Sequence, residues 1–192
     1  MRTQDVGTLA LRLGVGGALA AHGAQKLFGS FGGPGREATG QAFGHLGFPN
    51  PDQAVLAAAA GELVGGTMLA AGLATPAAAA AVIGTMRTAS DVHKSNGFFA
   101  ASGGYELPAT YGLAAAAIAL KGPGKLSLDH LLGYRLARPW MAMAGIAAGV
   151  VAGTLVARTR QAPPEQHDDE VVDITAAERA DDAVAEGVQT PV

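Results

Sequence analysis

Eight polar or ionisable side chains interrupt or border long apolar stretches of this sequence, where a charged group is costly. They are His22, Gln25, Lys26, Glu62, Arg87, Asp91, His93 and Glu106. Near the middle of a membrane, an Arg or Asp costs about 2.5–3.5 kcal/mol on insertion scales, so such residues pair with one another, reach water or carry function. Arg87 and Asp91 are four residues apart, a spacing that allows a direct pair on one helix. We predict that the eight residues form one polar cluster.

The residue types leave three interpretations of this cluster open. It is a set of ion pairs that fixes helix packing, a site for a quinone or another small ligand, or a transport pathway. Two histidines, His22 and His93, could in principle hold haem, but their spacing is not that of a cofactor motif. We predict no metal site, because no two ligands share the i, i+3 or i, i+4 spacing of helical metal motifs. Catalytic residues are not assigned.

Five apolar segments must position these side chains, and each has roughly the length of a membrane-spanning helix. About 20 residues at about 1.5 Å per residue cross a hydrocarbon layer of about 30 Å. The apolar content is mostly Ala, Gly, Leu and Val, which suits closely packed membrane helices better than a soluble core. A soluble helical bundle is the alternative. The segments are residues 6–28, 53–73, 76–94, 105–120 and 139–157.

Charges outside the apolar segments predict the orientation and the end of the chain. The segment Lys121–Arg138 carries four basic residues and is predicted to be cytoplasmic, which places the Gly/Pro-rich loop Gly29–Pro51 outside. Residues 161–192 carry nine acids against Arg179 and no aromatic residue, which predicts a disordered acidic tail. The predicted fold is all-α: a transmembrane four-helix bundle, a fifth membrane helix and this tail.

Four stretches together resemble the DoxX family of small bacterial membrane proteins. They are HGAQKLFGSFGGPG (22–35), GELVGG (61–66), NGFFAASGGYELP (96–108) and GPGKLSLDHLL (122–132). The resemblance implies a DoxX-like four-helix domain over residues 1–132, followed by a further membrane helix at 133–160 and the tail at 161–192. It also implies a multi-pass protein of the bacterial cytoplasmic membrane. The family is named for its similarity to a subunit associated with terminal quinol oxidase and thiosulfate:quinone oxidoreductase, and some relatives are linked to redox-stress assemblies.

The expected function follows from this resemblance and from the absence of cysteine. A chain without cysteine has no thiol nucleophile and no thiolate metal ligand, so it cannot pass electrons from thiols to quinone by itself. We expect a non-catalytic subunit or scaffold of a quinone-linked oxidoreductase or redox-stress assembly, not an enzyme on its own. The expected partners are the lipid bilayer and such redox proteins, not nucleic acid, and quinone is the candidate cofactor. The alternative is a small-molecule transporter or channel component.

Overall fold

The computed structural model describes residues 2–161, which are helical and contain no strand. This confirms the all-α fold class, whereas the predicted disordered tail, from Ala162 onward, lies outside the described residues. Single 3-10 turns occur at Ser30–Gly32, Lys94–Asn96 and Ala100–Ser102. The α-helices are α1 (Thr3–Phe28), α2 (Gly35–His45), α3 (Pro51–Ala71), α4 (Thr75–Val92), α5 (Glu106–Lys121), α6 (Leu128–Leu131) and α7 (Pro139–Arg158).

The five predicted apolar segments correspond to the five long helices α1, α3, α4, α5 and α7. Glycine ends the first two of these, because Gly29 and Gly72 adopt the left-handed conformation that closes a helix, with φ of 70° and 65°. Proline stands in the first turn of α3, α4 and α7, where its missing N–H costs no hydrogen bond. Two segments predicted to be loops contain helices: Gly29–Pro51 contains α2, and Lys121–Arg138 contains α6.

Small residues allow the long helices to pack with their backbones in contact. Helix α1 lies antiparallel to α3, and a Cβ at Gly16 would come within 2.5 Å of the Gly66 carbonyl oxygen. The motif formed by Gly61 and Gly65 faces α4, where Thr85, Ala81 and Val82 leave room only for glycine or a very small side chain. These contacts are of the type that GxxxG spacing predicts for membrane helices.

The fifth long helix, α7, packs parallel to α4 through three glycines spaced four residues apart. A Cβ at Gly145 would meet the Pro76 carbonyl, one at Gly149 would meet Ala80, and one at Gly153 would meet the Gly84 carbonyl. The successive pairs run in the same direction along both helices, which establishes the parallel arrangement. The opposite face of α7 exposes Met143, Val151 and Leu155, each more than half accessible.

Two helices among residues 2–161, α3 and α7, combine the length and apolar content of a membrane span. Helix α5 has 16 residues, and α1 and α4 carry charged side chains within their length. Charged and polar residues lower the hydropathy of a helix even when they face the interior of a bundle. The prediction of four or five spans therefore stays a prediction for α1, α4 and α5.

Candidate functional site

A large apolar cleft lies among the long helices and reaches the end of the bundle where α1 ends and α3 begins, which we call the cleft end. Its volume is about 870 Å³, and its walls come from all five long helices. Alanine, glycine and larger apolar side chains form most of the wall, including Leu19, Val64 and Met68. Helix α2 contributes Phe43, and the loop after it contributes Phe48. The segment Gly29–Pro51, which was predicted to be a loop, therefore forms part of this wall.

The polar feature of the cleft is an ion pair between α1 and α3. Lys26 Nζ donates to Glu62 Oε2 at 2.5 Å, and both residues line the cleft. The Glu62 side chain is 6% exposed and that of Lys26 is 26% exposed. The helices approach closely because Gly23 lies against the α3 backbone, where a Cβ would be 2.5 Å from the Leu63 nitrogen. A buried carboxylate is thus neutralised by a lysine that keeps access to the cleft.

Two histidines and a tyrosine add hydrogen-bonding groups to the same cleft. The rings of His22 and Tyr111 meet edge to face, with centroids 6.2 Å apart. His93 Nδ1 lies 2.9 Å from the Gly103 carbonyl oxygen, so in the tautomer protonated at Nδ1 its Nε2 is left as an acceptor. Together with the ion pair, these groups supply both donors and acceptors to an otherwise apolar space. Such a combination is typical of a site for a small amphipathic molecule.

The other four residues of the predicted cluster lie outside the cleft wall, and a single cluster of all eight stays a prediction. Arg87 and Asp91 do pair, at 3.5 Å, but both side chains are about one-third exposed and neither residue lines the cleft. Glu106 Oε2 accepts the Ala100 N–H at 2.9 Å and thereby folds the loop before α5. Gln25 packs beneath Gly33, where a Cβ would lie 2.5 Å from the Gln25 Cβ. Only His22, Lys26, Glu62 and His93 of the eight share the cleft.

The residues after α7 hold the loop at residues 46–50, which lines the cleft and which we call the cover loop. Arg160 Nε donates to the Leu46 carbonyl at 2.8 Å, and its guanidinium lies over the Phe48 ring at 5.6 Å. The same guanidinium lies 3.8 Å from Asp91, and the Gln161 N–H donates to the Gly47 carbonyl at 2.8 Å. These contacts, which the sequence analysis did not anticipate, fasten the cover loop to α4 and to the end of α7.

A second buried polar group lies at the opposite end of the bundle, where α1 begins and α5 ends, which we call the basic end. Asp129 is fully buried, and its carboxylate accepts the N–H groups of Ala74 and Thr75 and the Thr75 hydroxyl at 2.7–2.9 Å. It thereby caps the first turn of α4. Arg12 is also buried and donates to the carbonyls of Pro123 and Leu126.

Neither Arg12 nor Asp129 is among the eight residues that the sequence singled out, although Arg12 shares α1 with His22 and Lys26. Arg12 lies seven residues before Leu19, the first residue of α1 that lines the cleft, and its guanidinium points into the loop before α6. Ser127 and Asp129 resemble the residues that begin a helix, and the Ser127 hydroxyl does accept the His130 N–H at the start of α6. The carboxylate itself, however, serves a different helix, and that long-range contact has no local sequence signal.

The described residues contain no group of three or more His, Asp or Glu side chains that could hold a metal ion. The cleft offers hydrogen bonds and apolar surface.

Comparison with known protein families agrees with this helical, apolar architecture. Residues 7–95 match the DoxX family model, which covers α1 to α4 and includes Lys26 and Glu62. This is shorter than the domain over residues 1–132 that the resemblance implied. The searches of curated proteins and of solved structures gave no match. The family match thus extends over residues 7–95, and it supports a DoxX-type membrane protein.

Proposed function

We propose that the cleft binds a lipid-soluble quinone, and that the chain is a non-catalytic subunit or scaffold of a quinone-linked oxidoreductase or redox-stress assembly. The observation that carries this proposal is the cleft itself: about 870 Å³ of apolar space with the Lys26–Glu62 pair in its wall. A quinone combines an apolar ring and tail with two carbonyl oxygens. Its binding requires apolar walls and a few well-placed donors.

The residues of the cleft fit that ligand class. Lys26 has donors beyond the one that Glu62 accepts, and His22 can donate from its ring. Glu62 uses Oε2 for Lys26, and within residues 2–161 its Oε1 accepts no hydrogen bond, so it can receive a hydroxyl from the reduced form. A bound quinone supplies two-electron chemistry, and a partner protein supplies the electrons because this chain has no cysteine.

The proposal includes a multi-pass arrangement in the bacterial cytoplasmic membrane, with all five long helices crossing it. Support comes from the tight small-residue packing and from the exposed apolar face of α7. The basic residues between α5 and α7 favour a cytoplasmic location for the basic end. The cleft then opens in the outer half of the bilayer.

The transport alternative has less support from the packing. A transport pathway must reach both sides of the membrane in turn. The basic end is filled by the buried Arg12 and Asp129 and by the loop that they hold. A bundle that is filled at this end suits a bound cofactor better than a permeating substrate.

Quinone retention tests the proposal. The full chain is purified from its native membranes in mild detergent, and the quinone extracted per mole of protein is quantified. Ala60, which is exposed to the cleft on α3, is replaced by phenylalanine to fill it, and Ala147, which is exposed on α7 away from the cleft, is the matched control. We expect Ala60→Phe to lose at least about tenfold in quinone, as a steric block of the site requires.

Glu62→Gln is the second variant. It keeps the shape of the side chain but removes the charge that holds Lys26, so quinone retention should fall while the thermal stability changes less. Equal quinone content in Ala60→Phe and Ala147→Phe, or no quinone in the wild-type protein, would contradict the proposal.

A further inference from the structure

The segment between α5 and α7 exposes both basic and large apolar side chains at the basic end. Lys125, Arg135 and Arg138 are exposed, and so are Leu131 and Trp140, at 79% and 64%. We name residues 125–140 the surface segment. Soluble proteins seldom expose leucines and a tryptophan together with arginines on one short, folded stretch, unless the stretch binds something.

The surface segment has a defined fold, so its outward leucines are a property of the structure. Asp129 anchors it, because the Asp129 N–H donates to the Gly72 carbonyl while the carboxylate binds the start of α4. The chain then turns back through Tyr134, whose N–H donates to the Asp129 carbonyl at 2.7 Å and whose φ is 57°. The leucines that follow the anchor point away from the core although the anchor itself is fully buried.

The acidic side chains at the basic end are buried. Asp129 is fully buried, and Asp5 is buried and accepts the N–H groups of Arg2 and Lys125. Among residues 2–161, these are the two acids of the basic end, so the charge left exposed there is positive. Exposed cations interleaved with leucine and tryptophan match the boundary between lipid headgroups and acyl chains.

We propose that the surface segment binds the anionic phospholipids of the bilayer, with Arg135 and Arg138 contacting headgroups and Leu131, Leu132 and Trp140 entering the acyl region. The charge complementarity and the location beside the first residues of α7 select a lipid surface as the partner. The proposal depends on the membrane location of the chain and is independent of any ligand in the cleft.

The chain's single tryptophan makes this surface directly observable. Trp140 lies in the surface segment and is the one tryptophan in the sequence, so intrinsic tryptophan fluorescence reports on it alone. The full-length protein is reconstituted in nanodiscs of phosphatidylcholine that contain increasing fractions of brominated phosphatidylglycerol or brominated phosphatidylcholine. Quenching measures which lipid occupies the positions beside Trp140.

We expect brominated phosphatidylglycerol to quench at much lower mole fraction than brominated phosphatidylcholine. Arg135→Gln together with Arg138→Gln should reduce that preference by roughly 25-fold, at about fivefold for each basic side chain near an anionic surface. The matched control is Arg36→Gln with Lys94→Gln, two exposed cations near the cleft end, which should leave the preference unchanged.

Three results would overturn the proposal. They are equal quenching by the two brominated lipids in the wild-type protein, an unchanged preference in the Arg135/Arg138 variant, and an equal loss in the control pair. Circular dichroism of each variant verifies that the helices are intact. Because the substituted side chains are exposed, the fold should tolerate all four changes.

Discussion

Replacing Asp129 by asparagine tests whether this buried carboxylate anchors α6 to the first turn of α4. The carboxylate accepts three hydrogen bonds, from the Ala74 and Thr75 N–H groups and from the Thr75 hydroxyl, at 2.8, 2.9 and 2.7 Å. Asparagine keeps the shape but replaces one acceptor oxygen by an NH₂ group. At least one N–H at the start of α4 then faces another donor in a site that water does not reach.

The magnitude follows from those contacts. A hydrogen bond to a charged group contributes about 1.5–3 kcal/mol, and a buried donor left without a partner costs about 1–3 kcal/mol. We therefore expect Asp129→Asn to lower the free energy of unfolding by about 2–4 kcal/mol, a combination of these terms. For a chain of this size, that corresponds to a decrease of roughly 5–15 °C in Tm.

The assay is thermal unfolding of the purified full chain in one detergent, followed by the helical circular dichroism signal. Asp52→Asn is the matched control, because the Asp52 side chain is 78% exposed and its contact with Arg36 is a surface pair at 3.5 Å. Such pairs contribute at most about 1 kcal/mol. If Asp129→Asn and Asp52→Asn unfold at the same temperature as the wild-type protein, the assigned anchoring role is wrong.

Three further predictions concern the cover loop, α7 and the orientation. Arg160→Ala should speed amide hydrogen exchange in the loop after α2, because that side chain fastens it, whereas Arg158→Ala should not; equal exchange in both variants would argue against the fastening. Gly153→Ala should lower stability by about 1–3 kcal/mol, because its Cβ meets the α4 backbone. Gly14→Ala, with open space around it, should not, as thermal unfolding of both would reveal. A cysteine at Ser30 should react with an impermeant thiol reagent in intact cells, and its protection would reverse the proposed orientation.

The positions of the long helices could be predicted from the sequence, because they depend on local composition. Each long helix coincides with an apolar segment of span length, and glycine or proline marks several of its ends, as at Gly29, Gly72 and Pro139. Backbone hydrogen bonding within a helix needs only residues close in sequence, so the signal is complete in the chain itself. Helix α2 was not predicted, because its eleven residues are mostly polar or glycine and lack a strong apolar periodicity.

The partners of the charged side chains depended on the tertiary structure. The sequence identified Lys26 and Glu62 as costly intramembrane charges, but not as a pair, because they lie on different helices and meet only where Gly23 brings α1 against α3. Arg87 and Asp91 pair as their spacing predicts, since four residues along one helix is a local relation.

Composition and spacing by themselves determined the helical class, the helix positions and the polar residues worth testing, whereas the resemblance to the DoxX family rested on four sequence stretches. The tertiary structure decided that the eight polar residues divide between the cleft, a partly exposed ion pair on α4 and separate loop contacts, and that Asp129 anchors α4. The physical reason is that the cost of burying a charge can be estimated from one residue and its neighbours in sequence. The interactions that offset this cost depend on which distant hydrogen-bond partner the packed backbones bring close to the charge.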